Sequence, residues 1–255
     1  MFSYYGELSA EVYDFTKPVG HSINGDIEYY RERLRTCSGR ILEAGIGTGR
    51  MLIPLLEAGM KVDGIDYSAE MLAVCRTRMA ERNLHADLYE GNLQQFSLPH
   101  NYEAIIMPAG TFLLIEKREE SIHALKCIYE HLVPGGRFIV DIFLPDYSGI
   151  DFSIGNVHTT THVLPYGDLI TMEQKVVEVD FLHQHQVSYL KYEKWREGKL
   201  IQTELQRFAL RWYGVEELKL LLESVGFNDI VCSADYEFGA KPARETQMFT
   251  FEARK

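Results

Sequence analysis

One stretch limits what this chain can become. Arg40-Ile41-Leu42-Glu43-Ala44-Gly45-Ile46-Gly47-Thr48-Gly49-Arg50 is a short apolar run that closes on an acid and enters three alternate glycines. The pattern reads as a strand, a tight turn and a helix start. Glycine without a Cβ lets the backbone bend sharply and brings its N–H groups close to a ligand, while the helix that follows adds its positive end. A nucleotide-type cofactor site is therefore expected here. The dinucleotide fingerprint G-x-G-x-x-G, started at Gly45 and Gly47, needs a glycine at position 50, where Arg50 stands. The third glycine comes one place early.

Length and charge bound the remaining choices. A chain of 255 residues fits one α/β domain with an insertion and is long enough to bury a substantial core. Its 37 acids against 26 bases give a net charge of −11 with no basic run, which disfavours nucleic acid and anionic membrane as partners. Four cysteines, Cys37, Cys75, Cys127 and Cys232, are scattered without metal-like pairing, and the last three fall in segments read as buried. The start, Met1-Phe2-Ser3-Tyr4-Tyr5, has no signal-peptide pattern, and no apolar run approaches the ~20 residues of a membrane span. A cytoplasmic protein is expected.

The rest of the chain keeps an α/β rhythm. Ile27, Tyr30 and Leu34 are spaced as on a helix leading into the organising strand. Residues 50–57 read as a helix that Gly59 ends. Met60–Asp66 reads as a second strand, and Ser68 caps a helix burying Met71, Leu72, Cys75 and Met79. Leu88-Tyr89-Glu90-Gly91-Asn92-Leu93 reads as a third strand and turn, Tyr102–Met107 as a fourth strand, residues 119–132 as a helix, and Phe138–Phe143 as a fifth strand after a Pro134-Gly135-Gly136 turn. Residues 145–213 break the rhythm with β segments at 169–180, 186–195 and 200–213, read as a small antiparallel sheet. Lys/Arg and Asp/Glu are equally numerous between Val157 and Tyr213, which suits a small, weakly charged ligand beneath this cover. A helix from residue 214 to Gly226 and two terminal strands complete the chain. His183-Gln184-His185 lacks a third ligand type nearby, so no metal is assigned.

The run Glu43-x-Gly45-x-Gly47-x-Gly49 resembles the cofactor loop of class I S-adenosylmethionine (SAM)-dependent methyltransferases. The Pro-Gly-Gly turn, the β insertion before the last helix, the Arg211-x-Tyr213-x-x-Glu216-Glu217-Leu218 helix start and the terminal hairpin are similar to the small-molecule branch of that family, so the resemblance covers almost the whole chain. It implies a Rossmann-like seven-stranded sheet with helices on both faces and a single domain. Within it, residues 1–24 would be an N-terminal lid or packed arm, 25–144 a SAM-binding core, 145–213 the β insertion, and 214–255 the last helix and hairpin. The resemblance implies that Gly45, Ile46, Gly47 and Gly49 wrap the amino-acid end of SAM and that Glu43 holds its ammonium group. Asp66 would accept from the ribose hydroxyls, with Tyr67 and Met71 flanking adenosine. Gly91, Asn92 and Leu93 stand where the family usually carries Gly-Asp, so adenine would meet the Asn92 amide oxygen instead of a carboxylate. Pro108 and Phe112 follow the fourth strand at the ligand edge, where Met107-Pro108-Ala109-Gly110 lacks the Asn/Asp-Pro-Pro-Tyr/Phe sequence of methyltransferases acting on bases.

Tyr5 and Tyr13 lie in a segment that resembles the lid closing over SAM; the alternative is an apolar arm packed on the sheet. If the acceptor must lose a proton, Tyr13, a lid histidine or Asp141 is the candidate base, and Arg211 is the candidate to reach the acceptor. The implied reaction is in-line methyl transfer to a nitrogen or oxygen of a small molecule, leaving S-adenosylhomocysteine, by a monomer or homodimer. Two other readings stand beside it: a SAM-binding sensor or partner module without transfer, suggested by Asn92, and an NAD-dependent oxidoreductase, opposed by the glycine spacing and the terminal hairpin.

Overall fold

The computed structural model describes residues 4–146 and 152–255, so residues 147–151 of the insertion lie outside the described residues. Helices α1 (Glu7–Thr16) and α2 (Asp26–Leu34) precede strand β1 (Ile41–Ala44), helix α3 (Leu52–Glu57), strand β2 (Val62–Asp66) and helix α4 (Ala69–Ala80). Strands β3 (Leu88–Glu90) and β4 (Tyr102–Met107) follow, then a 3-10 turn, Thr111–Leu114, helix α5 (Arg118–His131) and strand β5 (Leu132–Phe143). Strands β6 (Val157–Val163), β7 (Leu169–Asp180), β8 (His185–Arg196) and β9 (Lys199–Arg211) form a separate antiparallel sheet. Helix α6 (Val215–Val225) and strands β10 (Asn228–Ala234) and β11 (Met248–Arg254) return the chain to the main sheet.

The main sheet has the order β10-β11-β5-β4-β1-β2-β3, with β1 to β5 parallel and β11 antiparallel to both its neighbours. This is the Rossmann-like α/β sheet that the sequence predicts. Period-two alternation divides its side chains between two cores. Ala104 and Ile106 of β4 face a core with α2, α3 and α4, whereas Tyr102, Ile105 and Met107 face one with α5 and α6. Strand order reverses between β1 and β4, where an open α/β sheet leaves a crevice beyond its carboxyl ends.

Three local expectations need correction. The Pro134-Gly135-Gly136 turn lies inside β5, where pairing jumps from Tyr102–Leu132 to Ala104–Arg137, so it is a bulge in a longer strand. The insertion has a fourth strand, β6, an edge strand whose Val-His-Thr-Thr-Thr-His-Val sequence buries too little to announce itself. Of the three cysteines read as buried, only Cys75 is; Cys127 and Cys232 are half-buried.

The N-terminal arm contains a helix that the sequence reading did not place. Leu8 and Val12 of α1 share one face and pack against Leu164, Ile170, Leu190 and Tyr192 of the inserted sheet. Glu204 of β9 serves as a cap from a distant strand, accepting from the Leu8 N–H and the Ser9 hydroxyl at 2.8 Å each. Lys194 of β8 reaches Glu11 at 2.8 Å, and on the opposite side Arg78 of α4 pairs with Asp14. The helix is thus held between the inserted sheet and the main domain.

Arg50 occupies the position at which a dinucleotide fingerprint carries glycine, and its side chain is 3% exposed. It makes a two-pronged ion pair with Asp26 at 2.6 and 3.1 Å and donates to the His21 carbonyl at 2.8 Å. Asp26 opens α2 and also accepts the Ile23 N–H at 2.8 Å. The pair fastens the end of the glycine turn to the segment entering α2. Breaking a buried pair by removing one partner strands the other charge. Arg50→Met is expected to lower the unfolding free energy by about 3–5 kcal/mol, and Arg50→Met with Asp26→Leu to recover most of that loss, as read by urea denaturation. A loss below about 1 kcal/mol for the single variant would show that the pair does not anchor the turn.

Candidate active site

The carboxyl ends of the parallel strands present three adjoining features, in the order of the strands. At the centre, β1 carries Glu43 as its penultimate residue and runs into a turn in which Gly45, Gly47 and Gly49 all have positive φ. Two of these positions admit glycine alone. A Cβ on Gly45 would stand 2.3 Å from Thr111 Cγ2, and one on Gly49 would stand 2.7 Å from Cys75 Sγ. Gly47 is different: a Cβ there would meet Tyr13 Cε1 at 3.7 Å and Met71 Sδ at 4.0 Å, so the turn passes directly beneath the N-terminal tyrosine.

The amides of the turn are largely spent within the protein. Gly45 and Ile46 donate to the Ile65 carbonyl, Gly49 to the Ile46 carbonyl, and Gly47 to Asp66 Oδ2 at 2.8 Å. The expectation that several N–H groups turn toward a ligand is therefore not met; the glycines serve close approach. Ile46 contributes packing, its side chain lying against Gly64. A pyrophosphate would want those free N–H groups. Instead the turn gathers carboxyl groups. Glu43 is 2% exposed and its Oε2 has no hydrogen-bond partner. Burial pushes Glu43 up to about 8, with the Arg50 charge pulling against it and the Asp26 and Asp66 carboxylates adding to the rise. Burial also raises Asp66, opposed by the N–H groups of Ser68 and Gly47 that it accepts. A desolvated carboxylate with an unused oxygen is built for a cation.

On the β2–β3 side lies a cavity of about 370 Å³, lined by Tyr4, Tyr67, Ser68, Glu70, Glu90, Gly91 and Asn92 among others. Tyr67 is 63% exposed and stands edge-on to Tyr4 at 6.4 Å. Met71 is buried below the glycine turn, away from this cavity. The Asn92 amide is engaged locally, its oxygen accepting from the Gln94 N–H at 2.9 Å and its nitrogen donating to the Gln94 side chain. Leu93 packs toward the main core. Glu90 was missed as a site residue, although its signal, an acid closing a strand, is the one that marks Glu43 and Asp66.

On the β4–β5 side is a second cavity, about 140 Å³, walled by Leu113, Phe143, Pro145, Gln174, Gln186, Leu210, Arg211 and Trp212. Arg211, the residue named as a candidate to reach the acceptor, lies in this wall. Gln186 and Trp212 were not anticipated; neither carries a local signal, because strand register alone brings them to the site. Pro108 is buried and its carbonyl accepts from the Thr111 amide and hydroxyl. Phe112 is fully buried against Tyr213, with ring centroids 5.3 Å apart, so it supports the floor from the core and does not face a ligand.

Two candidate bases fare poorly. Asp141 is 0% exposed and lies within β5; its Oδ1 accepts the Thr250 hydroxyl at 2.8 Å and its Oδ2 the Ala109 N–H and the Tyr236 hydroxyl at 3.0 Å each. Burial pushes Asp141 up to about 6 against those hydrogen bonds. Its oxygens tie β5, β11 and the β4 loop together, which is a positioning task. Tyr13 is half-buried over the glycine turn, edge-on to Tyr5 at 6.5 Å with Lys17 above its ring. Burial raises its phenol, so at neutral pH Tyr13 is a donor and not a base. Tyr5 is held through its carbonyl, which accepts the Ser68 hydroxyl at 2.7 Å. Of the cover's histidines, His183 pairs with Asp180 and His185 with Glu178. Among the described residues no cluster of His, Cys, Asp and Glu is placed to hold a metal, and no helix is long and apolar enough to cross a membrane.

Known proteins are similar to this chain in sequence and in fold. Residues 41–136 match a family model described as a methyltransferase domain. The cypemycin N-terminal methyltransferase of a Streptomyces species is 28% identical over 68% of this chain and 69% of its own length. The dTDP-3-amino-3,6-dideoxy-alpha-D-glucopyranose N,N-dimethyltransferase of Streptomyces fradiae is 29% identical over 54% of each chain. Among solved structures, the CcbJ methyltransferase from Streptomyces caelestis superposes with a TM-score of 0.75 at 25% identity, covering 98% of this chain and 97% of that one. A SAM-dependent methyltransferase from Clostridium acetobutylicum ATCC 824 shares the fold, with a TM-score of 0.75 at 18% identity over 96% of both chains. With the glycine turn and the mixed seven-stranded sheet in place, residues 41–136 form a methyltransferase domain, and the chain has the fold of S-adenosylmethionine-dependent methyltransferases.

Proposed function

We propose that this enzyme transfers a methyl group from SAM to a nitrogen of a small-molecule amine, with the cofactor spanning the β1 turn and the β2–β3 cavity and the acceptor entering from the β4–β5 cavity. The observation that carries this reading is Glu43: a buried carboxyl group with an unused oxygen, beside a glycine turn in which the Gly45, Ile46, Gly47 and Gly49 amides are already satisfied. SAM, when bound, supplies an activated methyl on a sulfonium, and its ammonium group matches the Glu43 oxygen. In this reading Asp66 and Glu90 serve the ribose side and Tyr4, Tyr67 and Asn92 the adenine, which the lining of the β2–β3 cavity by Tyr4, Tyr67, Glu90 and Asn92 supports. Nitrogen is favoured over oxygen because the names of the cypemycin and amino-sugar enzymes both specify nitrogen acceptors.

The chain's own residues have a limited task in such a reaction. Alignment of nucleophile and methyl group in a closed site can supply ~7–11 kcal/mol, and an amine can arrive at the site already neutral. The burial of Asp141 and the protonated state of Tyr13 are compatible with that economy. Residues 1–24 act as the lid, with Tyr13 over the glycine turn and α1 braced against the inserted sheet. Residues 25–144, 145–213 and 214–255 complete one catalytic unit.

Gly47→Asp tests the turn. The left-handed φ of +54° tolerates aspartate better than most residues, so the fold survives. The added carboxylate fills the space under Tyr13 and is expected to abolish the rise of several degrees in thermal midpoint that saturating S-adenosylhomocysteine gives the unsubstituted enzyme. An unchanged rise would sink the turn assignment.

Glu43 provides a second test with a definite sign. Its pKa of about 8 in the ligand-free enzyme means that it is mainly protonated near neutrality. An ammonium ligand requires the carboxylate, so binding must expel a proton. At about pH 6.5, calorimetric titration of S-adenosylhomocysteine in buffers of different ionisation enthalpy should give about one proton released, and Glu43→Gln should give none. No release from the unsubstituted enzyme would remove Glu43 from the ammonium site.

A further inference from the structure

The β4–β5 cavity holds two unsatisfied polar groups of opposite kind. Arg211 is 5% exposed, yet its Nε–H has no acceptor. Its Nη1 donates only to the backbone carbonyl of Glu116 at 3.2 Å. The Glu116 carboxylate does not neutralise it, because both oxygens are taken by Arg207 at 2.6 and 2.7 Å. Among the described residues Arg211 is in no ion pair. Gln186 is 8% exposed and its Oε1 has no donor. Both residues line the same space, whose other walls include the rings of Phe143 and Trp212. A buried guanidinium without a carboxylate and a buried amide oxygen without a donor are each costly, and together they define the missing partner.

That partner must bring an anionic oxygen to Arg211 and an N–H or O–H to Gln186. Resting on the methyltransferase reading above, we propose that this cavity grips the acceptor by an oxyanion handle, a carboxylate or a phosphate carrying a neighbouring hydrogen-bond donor. Arg211 and Gln186 are then the specificity-determining pair. The position suits that task. Leu113 of the cavity wall belongs to the same 3-10 turn as Thr111, which packs against Gly45 of the cofactor turn. A handle held in the cavity leaves an amine a few bonds away free to reach the cofactor turn. The equal numbers of acids and bases in the cover concealed this site in the sequence, because the relevant charge is one arginine whose neighbours are a carbonyl and the Tyr213 ring and not a carboxylate.

The test uses full-length enzyme saturated with S-adenosylhomocysteine, and small probes in place of the unidentified acceptor. Ligand-observed NMR titrations would compare glycolate (anion with donor), inorganic phosphate, acetate (anion without donor) and glycolamide (neutral isostere of glycolate). Glycolate or phosphate is expected to bind, glycolamide not, and Arg211→Met to weaken the anion about tenfold or more. Arg211→Met should leave S-adenosylhomocysteine affinity within about twofold and should not lower the ligand-free thermal midpoint, since it removes an uncompensated buried charge. Gln186→Leu serves as the second variant: glycolate should weaken toward acetate while acetate is unchanged. Tighter binding of phosphate than glycolate assigns the handle to a phosphorylated acceptor, and the reverse order to a carboxylated one. Equal binding of glycolamide and glycolate, or anion binding indifferent to Arg211→Met, overturns the proposal, as does the absence of any anion binding. Failure of the unsubstituted enzyme to bind S-adenosylhomocysteine would instead overturn the cofactor assignment on which it rests.

Discussion

The ion pair between Arg50 and Asp26 is the interaction on which the site geometry depends. Two charges so far from water persist because each is satisfied beyond the pair, Arg50 by the His21 carbonyl and Asp26 by the Ile23 amide. The pair locks the end of the glycine turn to the start of α2, and so fixes the direction in which the turn leaves β1. It also sets the electrostatics above. The arginine tempers but does not abolish the rise in the Glu43 pKa, so a carboxyl group with a free oxygen is retained at the strand end.

From that anchor the working parts follow the order of the strands. A parallel sheet with a reversal between β1 and β4 brings the ends of five strands to one edge, and each end contributes something different. Glu43, Asp66 and Glu90 place acids at or beside the ends of β1, β2 and β3, whereas β4 and β5 close on apolar and aromatic residues under the inserted sheet. One edge therefore carries two chemical characters, divided at the glycine turn. Asp141 stabilises the uncharged half from beneath by bonding to three separate segments.

Much of this was legible in the sequence, and the limits of that legibility are physical. The strand–turn–helix at 40–57, the β4 strand and the α6 helix declare themselves through local periodicity and glycine placement, and the structure places them within a residue or two of the reading. Helix α1 was not legible because the surface that buries Leu8 and Val12 comes from residues 164–192. Strand β6 was not legible because an exposed edge strand has no apolar alternation to show. The acids near the strand ends form a set, yet the family resemblance points past Glu90 to Asn92, which stands where the family carries Gly-Asp. The inward direction of Phe112 and Asp141, and the meeting of Gln186 with Arg211, are set by tertiary packing and strand register, which spacing along the chain does not encode.

The capping of α1 by Glu204 has a consequence for how the two halves of the site communicate. The helix that carries Tyr13 over the glycine turn obtains its N-terminal hydrogen bonds from β9, the strand that ends at Arg211 in the opposite cavity. The inserted sheet and α1 are thus coupled through the Glu204 cap, the packing of Leu8 and Val12 and the Lys194–Glu11 pair. By thermodynamic reciprocity, any ordering of that element by a molecule in one cavity must be returned, in equal measure, as affinity in the other. Under the proposed function, cooperation between donor and acceptor would follow from how the chain is stitched together, with no contact required between the two ligands.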